Sequence, residues 1–266
     1  MAMNATYPIF PEQIPQTGMQ SSHYRADFAR NDAELEEVLR LRFEVFNIEL
    51  GEGLDSSFET RMDRDKYDNQ CHHLIVRDER TGELVGTYRM QTGKMAEAGH
   101  GFYSADEYDL SHFPKDMLEN SLELGRACIA NAHRNGRVLF LLWRGLFAYL
   151  RHNQLRYMFG CCSLNSQSPV QGSALYTRLR RAGNLHPDFI IPARPDFVCT
   201  ETPVPEEEVV GTELPRLMSL YLDYGACICS QPAIDRAFKT IDYLALFDLK
   251  VIPPKLMKVF HQDVSG

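Results

Sequence analysis

Long apolar runs, paired cysteines and positive charge are what this chain lacks, and each absence narrows what it can be. The longest apolar run, Val138 to Leu150, is interrupted by Arg144 and falls short of the roughly 20 residues that a membrane-spanning helix needs. The seven cysteines (71, 128, 161, 162, 199, 227 and 229) form no Cys-x-x-Cys pair and no His/Cys metal spacing. They read as reduced, mostly buried thiols of a cytoplasmic protein, and no metal is expected. The formal charge of −8 argues against a nucleic-acid partner, while a local basic patch still suits an acidic one. The N-terminus lacks the basic and apolar regions of a secretory signal. A soluble cytoplasmic protein is expected, with peripheral contact at the inner membrane left open.

What is present is concentrated between residues 121 and 147, which read as strand, basic glycine loop and helix. Glu123 and Arg126 fall inside the apolar strand 121–129. Burying either group unpaired is costly, and pairing them in a core seldom gains net stability, so their place points to function rather than packing. Residues three apart in a regular strand face opposite ways, so a shared site for the two demands a β-bulge at or next to Gly125, where glycine suits the backbone. The loop Asn131-Ala-His-Arg-Asn-Gly-Arg137 then brings His133, Arg134, Gly136 and Arg137 to the start of a helix from Val138. Free first-turn amides and the helix dipole favour an anion there, and a phosphate is the natural guest. A plain connection with solvated arginines explains the loop taken alone. Beside Glu123 and Arg126 it gains weight, because a phosphate arm held there would point its far end at those side chains.

Taken in order, residues 1–22 are rich in Pro, Gln and Ser and are expected to form a mobile arm, with one domain over 23–266. A strand over 24–29 leads to a helix capped by Asn31 with Glu34 three residues on. Arg42 lies on or beside the apolar stripe Leu35, Val38, Leu39, Val45 and Phe46, where a solvated arginine is out of place unless it snorkels. Residues 51–69 turn polar and acidic, ending Asp63-Arg-Asp-Lys-Tyr-Asp68. Strands 73–76 and 84–90, the second interrupted by Arg89, form a hairpin through Gly82, with His72 and His73 expected at a strand edge. An irregular stretch 91–119 follows. After the central motif come strand 156–164, a helix 172–183 with the basic face Arg178, Arg180 and Arg181, and a proline-rich segment 187–205. A helix 214–224, a strand 240–249 and a helix 253–260 complete the chain. Alternation of this kind gives an α/β or α+β layered sheet.

With those elements placed, the chain resembles the GNAT superfamily, and within it ornithine-lipid N-acyltransferases, N-acyl amino acid synthases and acyl-homoserine-lactone synthases. The resemblance is carried by Leu41-Arg-Phe-Glu-Val-Phe46, Asp65-Lys-Tyr-Asp68 ahead of His73-Leu-Ile-Val76, Gly86-Thr-Tyr-Arg89, Gly101-Phe-Tyr-Ser-Ala105 and Leu122-Glu-Leu-Gly-Arg-Ala-Cys128. Leu141-Leu-Trp-Arg-Gly145 and Phe159-Gly-Cys161 extend it, and the ornithine-lipid branch shares the segment Leu220 to Ala226. What it implies is an α/β GNAT-like fold, a mixed central sheet with helices on both faces, and strands 121–129 and 156–164 splayed around a phosphopantetheine arm. The implied donor is a long-chain acyl thioester, with or without a 3-hydroxyl, on acyl carrier protein, no cofactor being bound. The implied acceptor is the α-amine of an amino acid such as ornithine. His133 stands where glutamine or arginine is common and Val138 where a small residue is common. That difference bears on free CoA as donor more than on a carrier, and acyl-CoA stays open.

For an amine to attack a thioester it must shed a proton, and the oxyanion needs donors. Glu123 is the candidate base, with amides near Gly125 to Ala127 as oxyanion donors. Arg126, Arg89 and Arg42, with Phe46, Asp65 and Asp68, are the candidate acceptor site. Acyl carrier protein is acidic, so Arg134 and Arg137 with Arg178, Arg180 and Arg181 are its candidate docking surface. A signal synthase that accepts S-adenosylmethionine and a non-catalytic carrier-binding module are the other classes.

Overall fold

A computed structural model describes residues 7–16, 18–199 and 204–252. In chain order its elements are β1 Met19–Ser21, β2 Tyr24–Phe28, α1 Asp32–Phe43, α2 Ser57–Thr60, β3 His72–Asp78, β4 Leu84–Thr92, α3 Gly93–Ala98, α4 Lys115–Glu119 and β5 Ser121–Ile129. Then follow α5 Arg137–His152, β6 Tyr157–Leu164, α6 Pro169–Arg181, α7 Glu206–Gly211, α8 Arg216–Asp223, β7 Cys227–Ile228, β8 Ala233–Asp235 and β9 Thr240–Asp248. Where the sequence suggests one domain over 23–266, the contacts divide the chain into two compact units. Among the described residues, the first holds those up to Gly101 together with Leu122–Leu155, and the second holds Phe102–Ser121 and those from Arg156 to Ile252. The helix expected over 253–260 lies outside the described residues.

In the first unit, β1 to β5 pair with their sequence neighbours, all antiparallel. Two helices cover its two faces. Leu35, Val38 and Leu39 of α1 pack with Ile75 on one face. On the other, α5 comes so close that a Cβ on Gly86 would lie 2.7 Å from Val138 Cγ1, so only glycine lets this helix sit down on β4. Asn31 caps α1 as its sequence implies: its side chain accepts from the Glu34 amide at 3.0 Å, while the Glu34 carboxylate accepts from the Arg30 amide at 2.7 Å. The hairpin turn is also where expected, with Gly82 at φ 76°.

The mobile arm expected over 1–22 is a correction. Its described residues are part of the fold: Tyr7 and Ile14 are buried, and Met19 to Ser21 register with Ala26 to Tyr24, while 1–6 and 17 lie outside the described residues. Its composition misleads because a few apolar residues anchor many polar ones. His72 and His73 are corrected as well, since β3 runs between β2 and β4 and both rings are fully buried.

The second unit is built on β9, which pairs antiparallel with β6, β7 and β8. One apolar cluster joins Tyr108, Leu110 and Phe113 to Phe159, Ile191 and Leu244. Another joins Leu175 and Leu179 of α6 to Met218, Ile228, Ile241 and Tyr243. Ser168 caps α6, and Pro169 occupies its first turn.

Candidate active site

The register of β4 against β5 shows the bulge. Gly86 and Thr87 face Ile129 and Cys128, whereas Arg89, Met90 and Gln91 face Gly125, Leu124 and Glu123. Two residues of β5, Arg126 and Ala127, therefore oppose the single residue Tyr88. The extra residue re-phases the side chains, so Glu123 on one side of the bulge and Arg126 on the other share the face of Arg89 and Gln91. The backbone that achieves it is not the glycine's: Arg126 itself takes the left-handed conformation, at φ 50°. For a non-glycine residue that conformation persists only where surrounding contacts hold it.

Those contacts are ionic. Arg126 Nε lies 3.2 Å from Asp63 Oδ2, and its Nη2 lies 3.2 Å from Asp65 Oδ2. Arg89 Nη1 donates to Asp65 at 2.6 Å and to Asp68 at 3.0 Å. Arg42, fully buried on α1, donates to Asp63 at 2.7 Å and to Asp68 at 2.6 Å. Three guanidiniums thus meet three carboxylates, which satisfies a set of charges too costly to bury singly. Burial opposes ionisation of Asp68, but Arg42 and Arg89 outweigh it and hold that carboxyl well below the usual range. Asp65 is lowered in the same way against its burial, chiefly by Arg89. His73 beside them is driven down to about 3 by burial, with Asp68 opposing. It is therefore neutral, and its Nε2 donates to the Asp68 carbonyl at 3.1 Å.

All five sequence candidates Arg42, Asp65, Asp68, Arg89 and Arg126 are in this network. Asp63, which ties Arg42 to Arg126, is the member that sequence reasoning missed. It sits in an acidic run that reads as solvated loop, and only its contacts with Arg42 on α1 and with Arg126, more than sixty residues on, mark it out. The most open edge of the network is the Arg126–Asp65 pair, whose side chains are 7% and 12% exposed. Phe46 is buried in a single π-helical turn, Glu44–Glu49, that follows α1 directly. Such turns interrupt helices mostly where a site needs them.

Glu123 is buried directly across from Gln91, whose amide is engaged through both its oxygen and its nitrogen. Gln91 Oε1 accepts from Gln70 at 2.8 Å and from the Cys71 thiol at 3.1 Å, and its Nε2 donates to the Gly101 carbonyl at 2.7 Å. The Cys71 thiol is pushed well up by burial, against Arg89, with the charges of Asp68 and Glu123 adding to the rise. Cys128 is pushed up to about 12 by burial, and Cys162 rises for the same reason, so neither offers a thiolate.

At the far end of β5, the loop 131–137 enters α5 through Gly136 at φ 82°. Asn135 Oδ1 takes the Arg137 amide at 3.1 Å, and the amide of Phe140 goes to the Gly136 carbonyl. The amides of Val138 and Leu139 are then the donors at this helix end among the described residues. Arg134 is not a loose cation: both its Nη atoms donate to the Glu49 carboxylate, and its Nε donates to the Ile129 carbonyl at 3.0 Å. Arg137 is exposed.

The α6 arginines lie in the second unit. Arg178 donates to the Thr212 carbonyl, and Arg181 is held bidentate by Glu206 at 2.6 and 3.0 Å, which leaves Arg180 as the exposed cation of that face. For a metal, the donor set among the described residues is Glu107, Cys161 and Asp242, whose ligand atoms lie within 4.8 Å of one another. Their wide separation in sequence leaves no spacing to read. No helix among the described residues is long and apolar enough to cross a membrane.

Comparison with known proteins shows what the chain is similar to. The Acetyltransferase (GNAT) domain family matches residues 41–144, from α1 through the network and Glu123 into α5. An L-ornithine N(alpha)-acyltransferase of Brucella abortus (strain 2308) is 32% identical over 249 residues, 89% of this chain and 88% of that protein. One from Rhizobium meliloti (strain 1021) is 28% identical over 248 residues, 89% of this chain and 84% of its own. Among solved structures, an N-acyl amino acid synthase from uncultured soil microbes matches with a TM-score of 0.47 at 10% identity, over 88% of this chain and 93% of that one. With near-full-length identity of this order on both chains, the protein is an acyltransferase that belongs to the L-ornithine Nα-acyltransferase family of the GNAT superfamily.

Proposed function

We propose that the protein transfers a long-chain fatty acyl group from acyl carrier protein to the α-amine of ornithine. The observation that carries the chemistry is the bulge, which puts Glu123 on the same sheet face as Arg89 and the ion network. The network balances its own charges three against three, so it acts as a rigid brace beside that carboxylate, which serves as base. Glu123 takes a proton from the α-ammonium, directly or through a water. The amine then attacks the thioester carbonyl and forms the C–N bond, backbone amides at Gly125 to Ala127 receive the resulting oxyanion, and its collapse restores the carbonyl as the C–S bond breaks and the nitrogen sheds its second proton. The pantetheine thiol leaves with a proton, and no enzyme-bound acyl intermediate is needed. At the open edge of the network Arg126 receives the substrate carboxylate, with Arg89 and Arg42 held behind it by Asp65 and Asp68 and with Phe46 walling the acceptor.

Ornithine as acceptor follows the names of the curated relatives. The donor's phosphate belongs at His133, Arg134, Gly136 and Arg137, where helix amides and cations meet. Acyl carrier protein is preferred to CoA, with Arg137, exposed in the first unit, and Arg180, exposed in the second, as separate candidate contacts. The test is purified protein with acyl carrier protein or CoA thioesters and a panel of amino acids, with products read by mass. N-acyl ornithine made fastest from the carrier supports the proposal. Acylated homoserine lactone from S-adenosylmethionine, or acylation of a different amino acid alone, overturns the acceptor.

A further inference from the structure

The loop histidine is gripped from behind by a residue that no sequence pattern connects to it. Tyr24 on β2 is buried, with 2% of its surface exposed. Its hydroxyl lies 3.0 Å from His133 Nδ1 and 3.0 Å from Asn135 Nδ2. The Tyr24 and His133 rings meet edge to face, with centroids 5.8 Å apart. One side chain from 109 residues earlier therefore holds two members of the loop.

The chemistry of the three groups orders their protons. An amide nitrogen can only donate, so the Tyr24 oxygen accepts from Asn135. Its own hydrogen then goes to the acceptor that the described residues provide, His133 Nδ1. An imidazole that accepts at Nδ1 carries its hydrogen at Nε2. That nitrogen has no hydrogen-bond partner among the described residues. We propose that Tyr24 is a positioning residue for the donor: with Asn135 it locks His133 as the Nε2–H tautomer, and this N–H donates to the phosphate of the pantetheine arm. The inference rests on reading 131–137 as the phosphate site. A solvated imidazole divides between two tautomers and several rotamers, so fixing one before the ligand arrives removes an ordering cost from binding. The buried phenol does this without adding charge to a loop that already has two arginines.

Tyr24→Phe keeps the ring and removes the hydroxyl. With acyl carrier protein or CoA thioesters, donor KM should rise about 3- to 10-fold while kcat stays within about twofold, as loss of one hydrogen bond's contribution to uniform binding requires. With an N-acetylcysteamine thioester, which has no phosphate, Tyr24→Phe should match the parent. His133→Ala should raise donor KM similarly, and Tyr24→Phe should add nothing on top of it. His133→Gln, which has an N–H donor and no tautomer to choose, should be insensitive to Tyr24→Phe. Asn135→Ala, at an exposed position, reports on the relay without touching the buried phenol and should give a smaller rise. An equal loss with the phosphate-free donor, or losses that add in the double variant, overturns the positioning role. An unchanged KM in Tyr24→Phe beside a raised one in His133→Ala does so as well, while the phosphate site stands. If His133→Ala and Arg137→Ala both leave donor KM unchanged, the phosphate reading itself fails.

Discussion

The two ends of β5 are built in opposite ways. Around Glu123 and Arg126 the charges are buried, balanced three against three and fixed by a bulge. Around 131–137 they are exposed, and Arg134 is paired with Glu49, an anion that an incoming phosphate can displace. In the interior a charge pair is strong once made, and losing one member is severe. At the surface, water and salt screen it. The contrast matches what each end does, since the chemical step needs groups that do not move and donor binding needs partners that exchange.

The largest effect expected from breaking this contrast is on stability. Arg42→Ala leaves buried Asp63 with Arg126 alone and buried Asp68 with Arg89 alone, three carboxylates against two guanidiniums, and should cost roughly 3–5 kcal/mol, read as a lower urea midpoint. Arg134→Ala, at the exposed end, should shift that midpoint by less than about 1 kcal/mol. Equal losses at the two ends would dissolve the comparison.

Acid should attack the buried end first. His73, near 3 when folded against about 6.5 unfolded, takes its proton first in the unfolded chain, so its stability contribution is full above pH 6.5 and is lost as pH falls toward 3. His72, lowered to about 4 by burial, loses stability over the same range. For His73 alone the loss is on the order of 3 kcal/mol by pH 4. Asp65 and Asp68, both held low, add to it below about pH 4. Urea midpoints across pH 7 to 4 check the slope, which His73→Gln should flatten.

Glu123→Gln should lower kcat by about 10²-fold while donor KM and the urea midpoint stay near the parent values. Retained turnover at pH 7 would make Glu123 structural. At the exposed end, Arg134→Ala with Arg137→Ala should raise donor KM about 10-fold with little change in kcat, and the effect should shrink as salt rises. The smallest change is expected at α6. Arg180→Glu should raise KM for the carrier thioester about 2- to 5-fold and leave the amino-acid KM alone. Arg181→Glu should act mainly by losing Glu206. A flat response to Arg180→Glu moves the carrier's docking surface elsewhere.

Legibility tracks how local each signal is. The Asn31 cap, the Gly82 turn and the strand, loop and helix around 121–147 are written in neighbouring residues, and the structure has them where the sequence puts them. Arg42, Arg89 and Arg126 stand out by sitting where apolar residues belong. Asp63 does not, because an acid in an acidic loop looks solvated until a buried arginine meets it. His72 and His73 read as edge residues because nothing near them in sequence shows that β2 and β4 close over β3.

Short segments were enough for the α/β character, the family and the identity of most charges in the site, since period, caps and misplaced polar residues are local properties. They also required a bulge, because Glu123 and Arg126 cannot otherwise share a face. Three features came from long-range packing alone: Arg126 rather than Gly125 takes the unusual backbone, Asp63 completes the network, and Tyr24 holds His133. Each of these depends on groups far apart in the chain meeting where water is excluded. The energy of such a meeting is set by the partner and its burial, and no stretch of sequence holds both.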